Sequence, residues 1–213
     1  MRVDHRAAVT TKRGETYGGL SRVERAAERR HRIVASAVHL FGTRDYESVT
    51  VADVCAGAKV SKRYFYEHFR DRDDLVIKVN REQNEWLLTG VFKAAPERPA
   101  SLEALLRPAF RTLIGMLRDH PERARVIYID APRMELRRRG MLRRDADFLA
   151  HFLSRVPIHP ADKVRYDRTL LALVAGISEV IIDWLSHDME AAPDILADHL
   201  TGIALALLTQ PNA

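Results

Sequence analysis

Residues 164–185 are apolar around almost the whole circumference of a helix. Leu170, Leu171, Leu173, Val174, Ile177, Val180, Ile181, Ile182, Trp184 and Leu185 leave almost no polar side. A helix of this kind has to be covered on all sides. In a chain of 213 residues this predicts that one face meets the protomer's core and another meets a second subunit. Ala172, Ala175 and Gly176 would allow close approach. The last helix, near residues 194–208, is its natural companion, and two such pairs make a four-helix interface. Leu173, Ile177, Ile181, Leu200, Ile203 and Leu207 are the candidate dimer contacts. A central core helix in a monomer is the competing reading.

The rest of the chain carries the same helical period. No segment alternates convincingly with period two, and no internal repeat is visible. With 46% apolar residues, 9 prolines and 10 glycines, long uninterrupted helices and a buried core are expected. Cys55 is the single cysteine, which excludes a disulfide framework. The N-terminus has no apolar signal-peptide core, and the longest apolar run, residues 170–185, is broken by Glu179 and Asp183. The expectation is a soluble cytoplasmic protein with no membrane partner.

Caps and breakers divide the chain. Residues 1–20 are polar and basic and read as an arm, either an inert tail or a segment that reaches a neighbouring groove. Ser21 and Glu24 form a capping box for a helix over about residues 22–41, with Gly42 as its stop. Thr50, with Asp53 three residues on, caps a short helix over residues 51–56 that Gly57 ends. Ser61 caps a third over residues 62–69. A fourth starts near Asp73 and runs to about residue 92. Further helices are expected near residues 102–118, 122–130, 134–156, 161–186 and 194–208. The predicted fold is all-α with about nine helices: an arm (1–20), a three-helix N-terminal domain (21–72) and a helical body (73–213).

Charge separates these parts. Residues 1–72 carry 15 Lys and Arg against 9 Asp and Glu, whereas residues 73–213 carry 19 against 20. The excess belongs to the N-terminal third and suggests a polyanion partner for that end only. Two short helices joined by a glycine-containing turn form a helix-turn-helix, whose second helix enters the DNA major groove. In Ser61-Lys62-Arg63-Tyr64-Phe65-Tyr66-Glu67-His68-Phe69, Phe65 and Phe69 share a core face, and Lys62, Arg63 and Tyr66 lie opposite. Arg63 suits a bidentate contact to guanine, and the Tyr66 hydroxyl suits a phosphate. Arg72 and Thr50 are candidate backbone anchors. Lys59 adds a basic contact in the turn, and Ser61 caps the reading helix.

This stretch resembles the DNA-binding domain of TetR-type (tetracycline-repressor-like) bacterial transcriptional regulators. The resemblance rests on Thr50-Val51, Val54, Ala58, Val60-Ser61, Tyr66, His68-Phe69 and Asp74-Leu75, and covers residues 21–75 by motif. It implies that Thr50, Tyr66, His68 and Arg72 face the DNA backbone and that Lys62, Arg63 and Tyr64 face bases. Tyr64 stands where the family usually has threonine, and Arg72 where it has lysine.

The resemblance implies a homodimer on a palindromic operator, released when a small-molecule effector in the body tilts the fourth helix. That helix carries Trp86. Trp86, Phe110, Tyr128, His151 and Trp184 are the candidate effector-pocket residues, although ordinary core packing is the better reading of each one taken singly. Arg133, Arg137, Arg138, Arg139, Arg143 and Arg144 read either as an anionic-effector site or as a solvated face. A transcriptional activator of the same fold, or a protein-binding adaptor with a vestigial DNA domain, are the alternatives. No H-E-x-x-H, paired cysteines, G-x-S-x-G, P-loop or Rossmann glycine pattern occurs, so no metal, cofactor or catalytic residue is expected.

Overall fold

The computed structural model describes residues 21–130, 135–157 and 160–209. The arm at 1–20, Arg133, and the side chains of Arg137 and Arg138 lie outside the described residues. Nine α-helices and no strand occur among the described residues: α1 (Arg22–Thr43), α2 (Val51–Ala58), α3 (Lys62–Tyr66), α4 (Arg72–Ala94), α5 (Leu102–Asp119), α6 (Pro121–Arg125), α7 (Glu135–Leu153), α8 (Lys163–Ser186) and α9 (Pro193–Leu208). A 3-10 turn, Tyr46–Ser48, leads into α2, and one π-helical turn, Val126–Asp130, follows α6.

Local chemistry accounts for most helix starts. Ser21 and Glu24 close a reciprocal capping box on α1, and Thr50 and Asp53 close another on α2. Asp71 caps α4, Ser101 caps α5 and Asp162 caps α8 through side-chain oxygens. Pro193 opens α9, where a missing N–H costs nothing. Two glycines act differently from their predicted role as stops. α1 continues through Gly42 to Thr43, and α2 continues through Gly57 to Ala58. A Cβ on Gly57 would stand 2.4 Å from Ser36 Oγ. Glycine there leaves room for the Ser36 hydroxyl to donate to the Val54 carbonyl at 3.1 Å, where α1 and α2 cross closely. The turn after α2 is instead made by Lys59, which sits in the left-handed region at φ 53°.

Two apolar cores result. The N-terminal core gathers Ile33, Ala37 and Phe41 of α1, Val54 of α2, Phe65, Phe69, and Leu75, Val76 and Val79 of α4. The body core is built from α4, α5, α7, α8 and α9 and includes Leu87, Leu106, Ile114, Leu173, Ile181 and Leu200. α4 therefore belongs to both cores, and a cut between residues 72 and 73 would strip the first core of three side chains. The cores also meet at Val126, which sits at the start of the π turn and packs into the N-terminal core. In that turn the carbonyls of Val126 and Ile127 each accept from Asn80 Nδ2 of α4 at 3.1 Å.

Candidate DNA-reading face and the cavity behind it

The reading helix α3 is only five residues long. Such a helix has no independent stability, so its orientation is set by what it packs against. Phe65 is fully buried and Phe69 nearly so, their rings 5.5 Å apart. This pins one side of α3 and turns Lys62, Arg63 and Tyr66 outward, with Tyr66 57% exposed. Arg63 reaches solvent with Glu67 as its 3.8 Å neighbour. Ser61 stands at the N-cap position, but its side chain makes no capping bond. Lys59 and Thr50 lie exposed beside it. Thr50 Oγ1 already donates to Asp53 Oδ2 at 2.6 Å and accepts from the Asp53 N–H at 3.2 Å. Its first duty is the α2 cap.

Three of the predicted contacts are held differently. Arg72 is turned inward: its Nη1 donates to the carbonyls of Tyr46 and Val49 at 3.2 Å, and its guanidinium lies 4.2 Å over the Tyr46 ring. With those donors occupied, Arg72 braces the loop that delivers Thr50 rather than offering a free phosphate contact. His68 is half-buried against Phe69, with Nε2 buried and unpaired. Burial, with the nearby Arg30, pushes its pKa down and keeps the ring neutral. Tyr64 is 38% exposed, and Arg29 of α1 stacks over its ring at 4.2 Å. Arg29 is thus a supporting residue of α3.

The joint between α3 and α4 is held by Asp74. It is nearly buried and accepts from the Arg70 N–H at 3.0 Å and from Lys78 Nζ at 2.9 Å. The backbone bond and the Lys78 contact lower its pKa to about 2, from an ordinary 3.8. The depressed value means that the native state resists protonation here. Its stabilising contribution is complete above pH 4 and is lost as pH falls toward 2. Asp74→Asn is expected to flatten this part of the acid-unfolding profile, read by circular dichroism from pH 7 to pH 2. An unchanged profile would show that the contact contributes nothing.

Behind this unit, an apolar cavity of about 110 Å³ lies between α4, α5, α7 and α8. Of the predicted pocket residues, Phe110 and Tyr128 line it. The other three lie elsewhere. Trp86 packs edge-on to His120, ring centres 5.0 Å apart, under the Arg123 guanidinium. His151 is exposed and stacks on Phe92 at 5.9 Å. Trp184 is buried and donates its indole N–H to Ala191 O at 3.0 Å, closing the α8–α9 turn. The sequence reading missed Asn84 of α4 and Asp145 of α7, which meet at the cavity wall with Asn84 Nδ2 donating to Asp145 Oδ1 at 2.9 Å. Their elements are far apart in the chain, and only the packing brings them together.

Comparison with known proteins relates the N-terminal part of the chain to one family. Residues 33–79, which span α2, α3 and the first part of α4, match the family of bacterial regulatory proteins described as the tetR family. That segment of the chain is similar to the family. An HTH-type transcriptional regulator, HbdR, from Aromatoleum sp. (strain CIB) is 39% identical over 50 residues; that match spans 24% of this chain and 22% of the relative. Across the body the likeness is one of fold. A TetR-like transcriptional regulator from Rhodococcus sp. RHA1 superimposes with a TM-score of 0.64 at 22% identity, covering 90% of this chain and 100% of that one. The fatty acid degradation regulator FadR from Bacillus halodurans gives 0.66 at 15% identity, covering 86% and 96%. The chain thus has an N-terminal segment similar to tetR-family regulatory proteins and, over most of its length, the fold of TetR-like regulators.

In the body the outward faces of α8 and α9 differ from the predicted dimer contacts. Leu173, Ile181 and Leu200 are buried within the protomer, Ile177 lines the cavity, and Ile203 and Leu207 are half-buried. The exposed stripe runs through Ala172, Gly176, Glu179 and Asp183 on α8 and Ile195, His199, Gly202 and Ala206 on α9. An all-round apolar helix announces that it is covered, but not which face meets its own core. By length and composition α8 is apolar enough to cross a membrane, with mean hydropathy 1.7 over its richest window.

Proposed function

We propose that the protein is a cytoplasmic homodimeric repressor that occupies a palindromic operator and leaves it when a small molecule fills the body cavity. The observation that carries this reading is the double allegiance of α4. One end of the helix is packed in the DNA-reading core, while Asn80 and Asn84 tie its middle to the π turn and to the cavity wall. A ligand that moves α7 or the π turn therefore moves the base of α3. To release DNA it must bind the released state more tightly; reversing a 99:1 preference takes about 10⁴-fold, or about 5.5 kcal/mol.

Residues 21–72 with the first turns of α4 would read DNA, and the remainder would dimerise and bind the effector. Lys59, Ser61, Lys62, Arg63 and Tyr66 are the proposed DNA contacts, with Thr50 at the edge. Arg63→Ala is expected to cost about 1–3 kcal/mol of operator binding and to relax base preference. Tyr66→Phe is expected to weaken all sequences alike. Anisotropy titrations on operator and scrambled DNA check this division. Equal loss of sequence preference in both variants would overturn it.

The exposed stripes of α8 and α9, which include Ala172, Gly176, Gly202 and Ala206, support a dimer in which these helices pack on their symmetry mates. A Cβ on Gly176 meets nothing within 4 Å in the protomer, so Gly176→Arg should leave the protomer folded and block close approach. Light scattering on a sizing column is expected to show a wild-type dimer and a folded Gly176→Arg monomer. A variant that stays dimeric would place the interface elsewhere.

A further inference from the structure

The cavity between α4, α5, α7 and α8 continues into a smaller one of about 40 Å³. Among the described residues lining the two, Asp145 is the sole charged side chain, and no Lys, Arg or His faces either space. Asn84, Tyr128 and Ser178 join Asp145 where the two cavities meet, because these four line both. The remaining wall is apolar, with Leu106, Phe110, Phe148 and Phe152 prominent. Asn84 satisfies Oδ1 of the carboxylate at 2.9 Å, and Oδ2 has no donor among the described residues. Arg144, exposed and next in the chain, acts on the carboxylate through space but lines neither cavity, so on the cavity side Asp145, set at the end of an aromatic box, has one neutral donor and no cation.

We propose that this cavity takes a small hydrophobic monocation of the arylalkylamine class, its ammonium paired with Asp145 and its ring among Phe110, Phe148 and Phe152. The assignment rests on the ligand-released reading given above and names the ligand chemistry for it. The two cavities together, about 110 and 40 Å³, match the size that holds one aromatic ring, since an apolar cavity of about 150 Å³ holds benzene. The charge fits because an ammonium donates to the unfilled oxygen in a charge-assisted bond. Burial pushes the Asp145 pKa up while the Asn84 bond and the nearby Arg144 charge pull it down, and an arriving cation favours the ionised form further. An acid in the same place would set two carboxylates side by side. The ammonium would also share Asp145 with Asn84, so that occupancy is felt directly by α4.

The test is calorimetric titration of the full-length protein with phenethylamine, 2-phenylethanol and 3-phenylpropionate. The three probes share a ring and differ in the charge of the head group. The wild type is expected to bind the amine at least about tenfold more tightly than the alcohol, and the acid not at all. Asp145→Asn keeps the side-chain volume and is expected to erase that preference while leaving the melting profile cooperative. Ala109→Phe, which fills the cavity from α5, is expected to remove binding of the amine altogether. Equal or tighter binding of the alcohol or acid, no binding of the amine by the wild type, or an amine preference that survives Asp145→Asn would overturn the assignment. Adding operator DNA separates this proposal from the reading beneath it. Amine binding that depends on Asp145 but leaves the DNA complex intact keeps the assignment and sinks ligand release. Release by the alcohol or acid acting through the cavity does the reverse.

Discussion

Phe65→Ala is expected to lower stability by about 3–5 kcal/mol, the cost of deleting a buried aromatic ring, and to abolish DNA binding. Phe65 is fully buried and is the one buried residue of α3. Its ring lies between Phe69 and the α1–α2 pair, so its removal opens a cavity under a helix of five residues. With so few backbone bonds of its own, α3 depends for its angle chiefly on this anchor, the Arg29–Tyr64 stack being the lesser support. Urea unfolding monitored by circular dichroism gives the stability, and Tyr66→Ala, one position along and largely exposed, is the control. The control should change stability by no more than about 0.5 kcal/mol. Equal destabilisation by both variants would mean that α3 is not anchored through Phe65.

Gly42→Ala is expected to destabilise by about 1–3 kcal/mol, against the usual direction of this substitution. In an open helix interior, alanine is better than glycine by about 1 kcal/mol. Here the new Cβ would fall 2.5 Å from Glu122 Cβ, 2.6 Å from its Cα and 2.8 Å from its carbonyl oxygen. Two of those three atoms are backbone and cannot rotate away, so the overpacking cost governs. The clash lies where α1 meets α6, beside the His39–Glu122 contact at 2.9 Å. The variant should therefore loosen the N-terminal unit from the body as well as lower the melting temperature. A melting temperature that rises would show that α6 yields freely and that this joint is soft.

What was legible in the sequence was local. The capping boxes at Ser21–Glu24 and Thr50–Asp53 involve groups three residues apart, and both form as the residue types predict. The apolar faces of α1 and α5, and the inward pair Phe65 and Phe69, follow from helical period alone. Contacts set by distant partners were not legible. Gly42 and Gly57 read as stops because a glycine needed for a close crossing looks the same in sequence as one that ends a helix. Arg72 matches a DNA-contact position of the family, yet the carbonyls of Tyr46 and Val49 compete successfully for its guanidinium. Leu173, Ile181 and Leu200 read as interface residues because an all-round apolar helix does not reveal which side its own core takes. Trp86, His151 and Trp184 drew notice as large side chains with polar tips, whereas the cavity is defined by the gap left between four helices. Asn84 and Asp145 had no local signal at all.

The central claim is that the outward face of α3, held by Phe65 and flanked by Lys59 and Lys62, reads DNA. Its most direct test is fluorescence anisotropy of the purified protein on DNA from its own upstream region and on a scrambled duplex, across a salt series. The account predicts sequence-selective binding by two protomers per palindrome, weakening steeply with salt as counterions are released, with Arg63→Ala losing the preference between the two DNAs. Equal, weak binding of both duplexes by wild type and Arg63→Ala, with no dependence on salt, would contradict it.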